Sequence, residues 1–247
     1  MTRLAALLLV LLASANAVAG PLYVAVATNF APTCRAIADA FSAATQHEVV
    51  ISDGSSGKLF AQIENGAPFE VFLAADAERP RKLEEGRHAV AGSRFAYALG
   101  RLALWSARED FVRDESVLRG DAFQHLAIAN PELAPYGAAA RDVLQRLGVW
   151  ERAGPKLVRG EDVGQTFQFV STGNAELGFV ALSQLTPDRG GSRWLVPAGL
   201  HAPIEQQAVL LTPGRDDPAA RAFLDFLKGA AARDLIERAG YGIPSQP

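Results

Sequence analysis

Cysteine is almost missing from this sequence: Cys34 stands alone in 247 residues. No internal disulfide can form, so stability has to come from buried apolar side chains rather than cross-links. Cys34 also lies far from any export cleavage site, which argues against a lipid anchor there, and it reads as a small buried hydrophobe on a helix. Long apolar runs are absent beyond the N-terminus, because Arg, Asp or Glu interrupts every later hydrophobic stretch. No such segment reaches the length of a membrane-spanning helix, and the mature protein is expected to be soluble. An excess of positive charge is lacking too. With 24 Lys and Arg against 27 Asp and Glu the formal net charge is −3, and nothing points to nucleic acid or an anionic membrane as partner. The basic residues are interleaved with acids, as over Ala77–Glu85, the pattern of a solvated helix face. The four histidines, 47, 88, 125 and 201, are scattered, none with His or Cys at metal-ligand spacing, so no cation site is expected. No Gly-x-Ser-x-Gly elbow occurs, and Trp105, Trp150 and Trp194 read as core packing.

What is present begins with the N-terminus. Arg3, the apolar run Leu4–Leu12 and the small residues Ala15-Asn16-Ala17-Val18-Ala19 have the layout of a cleaved secretory signal, residues 1–19, with cleavage after Ala19 favoured over Ala17. The mature chain is expected in the periplasm, and loss of the Arg3 charge would take its net charge from −3 to −4.

Beyond the signal, short β-rich runs alternate with helical patterns, which predicts an α/β class with parallel strands and crossover helices. Strands are expected at Leu22–Ala27, Glu48–Ser52, Val71–Ala74, Arg94–Ser106, Leu126–Ala129, Lys156–Val158, Leu177–Ala181, Trp194–Val196 and Gln206–Leu211. Helices are expected at Pro32–Ala44, Gly57–Asn65, Gly137–Leu147, Val163–Thr172 and Pro218–Ala231, where apolar residues recur at three and four. Arg94–Ser106 is long for one strand and carries Gly100 in its middle, which suggests a chain passing from one sheet to another. Gln206–Leu211 is the candidate return. The architecture implied is two α/β lobes, 20–98 with 207–247 and 99–206, each a mixed sheet flanked by helices, joined by a two-strand hinge. A single nine-stranded domain is the alternative.

Four segments share one design, a strand end followed by small or polar residues and a helix start: Ala27-Thr28-Asn29-Phe30, Ser52–Gly57, Asn130–Gly137 and Gly160–Gln165. A helix start exposes unpaired N–H groups and the positive end of the helix dipole, so it attracts an anion without a charged side chain. In open α/β sheets ligands sit beyond the carboxyl ends of strands, where such turns converge. Thr28, Asn29, Ser55 and Ser56 add neutral donors, a set that suits an anion carrying no proton. Each turn alone is an ordinary helix cap; four together point to a site. Two enzyme-like motifs fail. Gly54–Leu59 is like a phosphate-binding loop, but Ser52 stands where Gly is needed and Leu59 where Ser or Thr is needed. Ser55–Lys58 matches Ser-x-x-Lys, with Ser55 as nucleophile, but no Lys-Thr-Gly follows.

At these four turns the sequence resembles the molybdate- and tungstate-binding periplasmic proteins of ABC transporters. The likeness is carried by Val26–Phe30, Gly54–Gly57, Ala61–Asp76, Gly92–Phe95, Pro131–Gly137, Glu161–Gln165 and Leu177–Val180. What the resemblance implies is a monomeric two-lobed clamp that closes on the dianion, without cofactor or catalysis, and passes it to a membrane permease. It implies as ligands Thr28, Asn29, Ser55 and Ser56, with Tyr136 and Val163 acting through their backbone N–H groups; molybdenum or tungsten would be held only as the oxyanion. A better-known branch of the family has a Tyr donor where this chain has Ala181 and a Ser where it has Asn29, so the Asn29 amide is expected to replace the lost donor. Sulfate or phosphate is the alternative ligand, with Asp53 and Asp162 as the carboxylates a protonated phosphate would want. An exported hydrolase using Ser55 and Lys58 is the alternative of a different class.

Overall fold

The apolar run Leu22–Ala27 is buried at every position except Tyr23, which is how a strand covered on both faces reads. It is the first element of a computed structural model that describes residues 20–186 and 189–244; the export signal read from residues 1–19 lies outside the described residues. In chain order the elements are β1 (Leu22–Ala27), α1 (Ala31–Thr45), β2 (Val49–Gly54), α2 (Ser56–Glu64), β3 (Val71–Ala74), α3 (Glu78–Glu85) and β4 (Phe95–Gly100). They continue with β5 (Leu102–Ser106), β6 (Leu126–Ala129), α4 (Pro135–Arg146), α5 (Trp150–Ala153), β7 (Leu157–Gly160), α6 (Val163–Ser171), β8 (Leu177–Ala181) and β9 (Ser192–Leu195). The chain ends with β10 (Ile204–Leu210), α7 (Pro218–Lys228) and α8 (Ala230–Arg238).

The strands form two five-stranded sheets, ordered β2-β1-β3-β10-β4 and β7-β6-β8-β5-β9. Both are mixed. In the first, β1 is parallel to β2 and β3 while β10 is antiparallel to β3 and β4. In the second, β6 is parallel to β7 and β8 while β5 is antiparallel to β8 and β9. Two sheets replace the single nine-stranded alternative. The expected long strand divides at Arg101 into β4 and β5, one in each sheet, and Gly100 is required there. A Cβ on Gly100 would stand 2.5 Å from Tyr136 Oη, 2.8 Å from Ile204 Cγ2 and 3.0 Å from Gln206 Nε2.

Each sheet is covered on both faces. Phe30, Ile37, Phe41 and Phe223 pack on one side of the first sheet, and Leu59, Ile63, Leu83 and Val209 on the other. Around the second sheet, Phe123, Ile128, Val143, Leu144 and Phe179 form one cluster and Trp105, Val170 and Val180 another. The expected helix Pro218–Ala231 is cut at Gly229, whose extended backbone (φ −73°, ψ 165°) starts α8. That helix and the short α5 were not foreseen.

Candidate functional site

Strand register brings the four turns together. Ala27 of β1 lies opposite Gly54 of β2, so Thr28 and Ser55 leave the first sheet at the same level. Ala129 of β6 lies opposite Gly160 of β7, so Asn130 and Glu161 leave the second sheet side by side, linked by Asn130 N–H to the Gly160 carbonyl at 2.7 Å. Between the two pairs is a tight cavity of about 10 Å³, room for about one water-sized sphere and far below the roughly 300–1,000 Å³ of sites for larger organic ligands. All six residues expected at the site line it: Thr28, Asn29, Ser55, Ser56, Tyr136 and Val163. No Lys, Arg or His does, and the only charged lining residue is Asp162.

Local chemistry fixes each turn. Ser55 is extended (φ −64°, ψ 145°) and its Oγ accepts the Lys58 N–H at 3.3 Å, capping α2. Ser56 Oγ accepts the Ala75 N–H at 2.9 Å, tying the start of α2 to the end of β3. Asp162 caps α6, with Oδ1 accepting the Gln165 N–H at 2.9 Å, so that carboxylate serves its own helix. Pro135 opens α4, where its fixed φ suits a first turn and its missing N–H costs nothing. The first-turn N–H groups of Ser56, Tyr136 and Val163 therefore stand where a helix has no carbonyl of its own to offer, with three helix dipoles converging on the cavity.

The side chains divide into those facing the cavity and those supporting it. Thr28 Oγ1 is buried and has no hydrogen-bond partner. Such a group is rare in a folded protein and calls for an explanation; a bound acceptor supplies one. The Tyr136 side chain runs away from the cavity, its Oη accepting from Gln206 Nε2 at 3.4 Å, so its offering to a ligand is main chain. The Asn29 amide is already engaged: Nδ2 donates to Gln206 Oε1 at 3.1 Å and to Tyr241 Oη at 3.2 Å. It does not replace the donor missing at Ala181, which is not among the lining residues.

Asn29 instead belongs to a buried polar hub that sequence reasoning missed. Tyr97 Oη donates to Gln206 Oε1 at 3.0 Å, and Tyr241 Oη reaches the Asn29 carbonyl at 2.7 Å and Ser183 Oγ at 2.8 Å. Burial pushes the phenols of Tyr97, Tyr136 and Tyr241 upward in pKa, so all three stay neutral hydrogen-bonding groups. The hub joins β4 and β10 to the Thr28-Asn29 turn, and its members lie up to 212 positions apart in sequence. No local pattern could have announced it.

The alternative residues fall elsewhere. Asp53 pairs with Arg35 at 2.7 Å outside the lining. Lys58 turns outward to Glu161 at 3.3 Å, both side chains exposed, and so is not the base that a Ser55 nucleophile would need. No three His, Cys, Asp or Glu side chains among the described residues group as a cation site.

Residues 22–242 match the model of a family described as bacterial extracellular solute-binding protein. The molybdate-binding protein ModA of Azotobacter vinelandii is 54% identical over 229 residues, 91% of each chain. ModA of Rhodobacter capsulatus is 49% identical over 236 residues, 96% of this chain and 94% of that one. Among solved structures, the A. vinelandii periplasmic molybdate-binding protein superposes with a TM-score of 0.88 at 43% identity, covering 91% of this chain and 100% of its own. The sulfate-binding protein SubI of Mycobacterium tuberculosis, 15% identical with a TM-score of 0.73 over 90% of this chain and 86% of its own, shares the fold alone. With the match running from β1 to beyond α8 on the same two-sheet architecture, the chain belongs to the bacterial extracellular solute-binding proteins.

Proposed function

We propose that this protein captures molybdate or tungstate in the periplasm and delivers it to the membrane permease of an ABC importer. The observation that carries the reading is a small cavity at converging helix starts, lined by hydroxyls without a cationic side chain, in which Thr28 Oγ1 is buried and unpartnered. Donors of this kind match an anion that only accepts hydrogen bonds. The names of the two relatives at 54% and 49% identity favour molybdate within that class. The ligand set is Thr28 and Ser55 through hydroxyl and main chain, Ser56, and the main-chain N–H groups of Asn29, Tyr136 and Val163. Lobes 20–98 with 207–247 and 99–206 close on the ion, with the hinge in the two passages between the sheets, at Arg101 and between β9 and β10. The protein acts as a monomer after loss of residues 1–19, and performs no catalysis.

A second reading has one observation in its favour. Asp162 lines the cavity, and a carboxylate there could accept the proton of hydrogen phosphate. Thermal melting of the mature chain with molybdate, tungstate, sulfate and phosphate separates the readings. A ligand at a thousand times its Kd adds about 4 kcal/mol of stability. No shift with molybdate or tungstate overturns the assignment, and a shift with phosphate alone installs the second.

A further inference from the structure

We propose that Gly57 and Gly164 are the stops that set how far the two lobes close, and thereby the size of oxyanion the cavity accepts; the inference rests on the oxyanion reading above. Each glycine follows a cavity-lining residue, Ser56 in the first lobe and Val163 in the second, on the first turn of α2 and α6. Each meets the opposite lobe with no room to spare. The Gly57 N–H donates to the Leu133 carbonyl at 2.8 Å. A Cβ on Gly57 would lie 2.9 Å from Leu133 O and 3.0 Å from Leu133 Cα, both backbone atoms that cannot swing aside. A Cβ on Gly164 would overlap Thr28 Cγ2, on the far side of the cavity. The two contacts thus bracket the ligand position, one donated by each lobe to the other.

Their own backbones do not demand glycine. Neither has a positive φ, and both are helical positions where alanine is the better residue. The tightest obstacle to a side chain is in each case the other lobe in its closed place, ahead of same-lobe Arg79 Nη2 at 3.1 Å from a Cβ on Gly57 and Asp162 Oδ1 at 3.0 Å from one on Gly164. Arg79 fastens that place from outside the cavity. Its Nη1 and main-chain N–H are held by Asp76 at 2.8 Å each, and its Nη2 donates to the Glu132 carbonyl at 3.1 Å, next to the carbonyl that Gly57 binds. Arg79 and Asp76 are largely buried, with side chains 21% and 17% exposed, unlike the Lys58–Glu161 pair, whose exposure leaves it little holding strength.

A methyl group at either stop holds the lobes apart by a fraction of an ångström. Hydrogen-bond strength depends steeply on donor–acceptor distance, so the smallest anion loses contact with one lobe first. The test uses the mature chain and its Gly57→Ala and Gly164→Ala variants, titrated calorimetrically with sulfate, chromate and molybdate, a series of tetrahedral anions of increasing size. Both variants are expected to lose affinity roughly ten- to hundredfold, more steeply toward the small end of the series, with unliganded melting temperatures that do not fall. Variants that bind as the wild type does, with the same size preference, overturn the stops while leaving the oxyanion reading intact. Unliganded melting temperatures that fall in step with affinity overturn them too, by making both glycines ordinary packing residues. A wild-type chain indifferent to all three anions overturns the oxyanion reading and this inference together.

Discussion

At the scale of single residues the sharpest distinction is between Thr28 and Tyr136, which line the same cavity in different ways. Thr28→Val keeps the shape and deletes the unpartnered hydroxyl. A hydrogen bond to a charged group contributes about 1.5–3 kcal/mol, so affinity for the anion is expected to fall roughly ten- to hundredfold in a calorimetric titration, with the unliganded urea midpoint unchanged or raised. Unchanged affinity would remove Thr28 from the site. Tyr136→Phe removes a hydroxyl that contacts Gln206 and leaves the main-chain N–H in place; affinity should hold while stability drops by about 1 kcal/mol. The protons of the buried groups set a second expectation. Burial pushes the Cys34 thiol from 9.0 to about 12 and raises the phenols of Tyr97, Tyr136 and Tyr241 above 10.0. The folded chain therefore holds these protons more tightly than the unfolded one. That contribution is complete below the ordinary values and is lost as pH climbs past them. Urea midpoints should show no loss from these groups below about pH 9 and should decline steadily above it, and a decline that begins near neutrality would contradict the burial of the hub. Thr28, Ser55 and Ser56 were legible in the sequence because turn chemistry is local. Gln206, Tyr97 and Tyr241 were not, since only the folded sheets bring them to Asn29.

At the scale of elements the site depends on how closely α4 approaches the end of β6. Gly137, on the first turn of α4, allows it: a Cβ there would overlap the Ala129 carbonyl and come within 2.9 Å of the Asn130 carbonyl carbon. Gly137→Ala must push the helix start off the sheet, carrying the Tyr136 N–H with it. Overpacking of this kind costs about 1–3 kcal/mol, expected as a lower urea midpoint with unchanged slope and as weakened anion binding; a variant stable and tight as the wild type would show that α4 is free to shift. The same strand-to-helix turns explain what could be read in advance. β1, β3, β6 and β8 are short runs without a charged residue, and their expected limits coincide with the observed ones. The starts of α1, α2 and α6 carry caps or Pro. Helix ends were harder: Pro218–Ala231 reads as one amphipathic stretch, and only the extended backbone at Gly229 divides it. β4 and β5 read as one strand because β-prone apolar residues continue on both sides of Gly100-Arg101, and a two-residue break is too short to mark a change of sheet by pattern alone.

At the scale of the whole molecule, two sheets with separate cores are joined by the short passage at Arg101 and the longer one between β9 and β10. Of the segments belonging to the first sheet, only Ala27, Ala75 and Ile204 join the main cluster of the second. Little apolar surface therefore couples the lobes directly, and what bridges them beside the cavity is polar: the Gly57–Leu133 and Arg79–Glu132 contacts and the Ser183 hydroxyl on the Asn29 carbonyl at 3.3 Å. An anion held by both lobes adds a link that the bare chain lacks. Scanning calorimetry should reveal this as a change in cooperativity as well as in temperature. Without the anion the lobes melt partly independently, and the van 't Hoff enthalpy should exceed neither lobe's share by much, staying below the calorimetric value. With saturating molybdate the two enthalpies should converge, because one bound ion then has to be released before either lobe can unfold. Equal enthalpies in the unliganded protein would mean that the hydrogen bonds from Gln206 to Tyr136 and from Tyr241 to Ser183 already lock the lobes into one unit, and would move the source of their coupling from the ligand to those contacts.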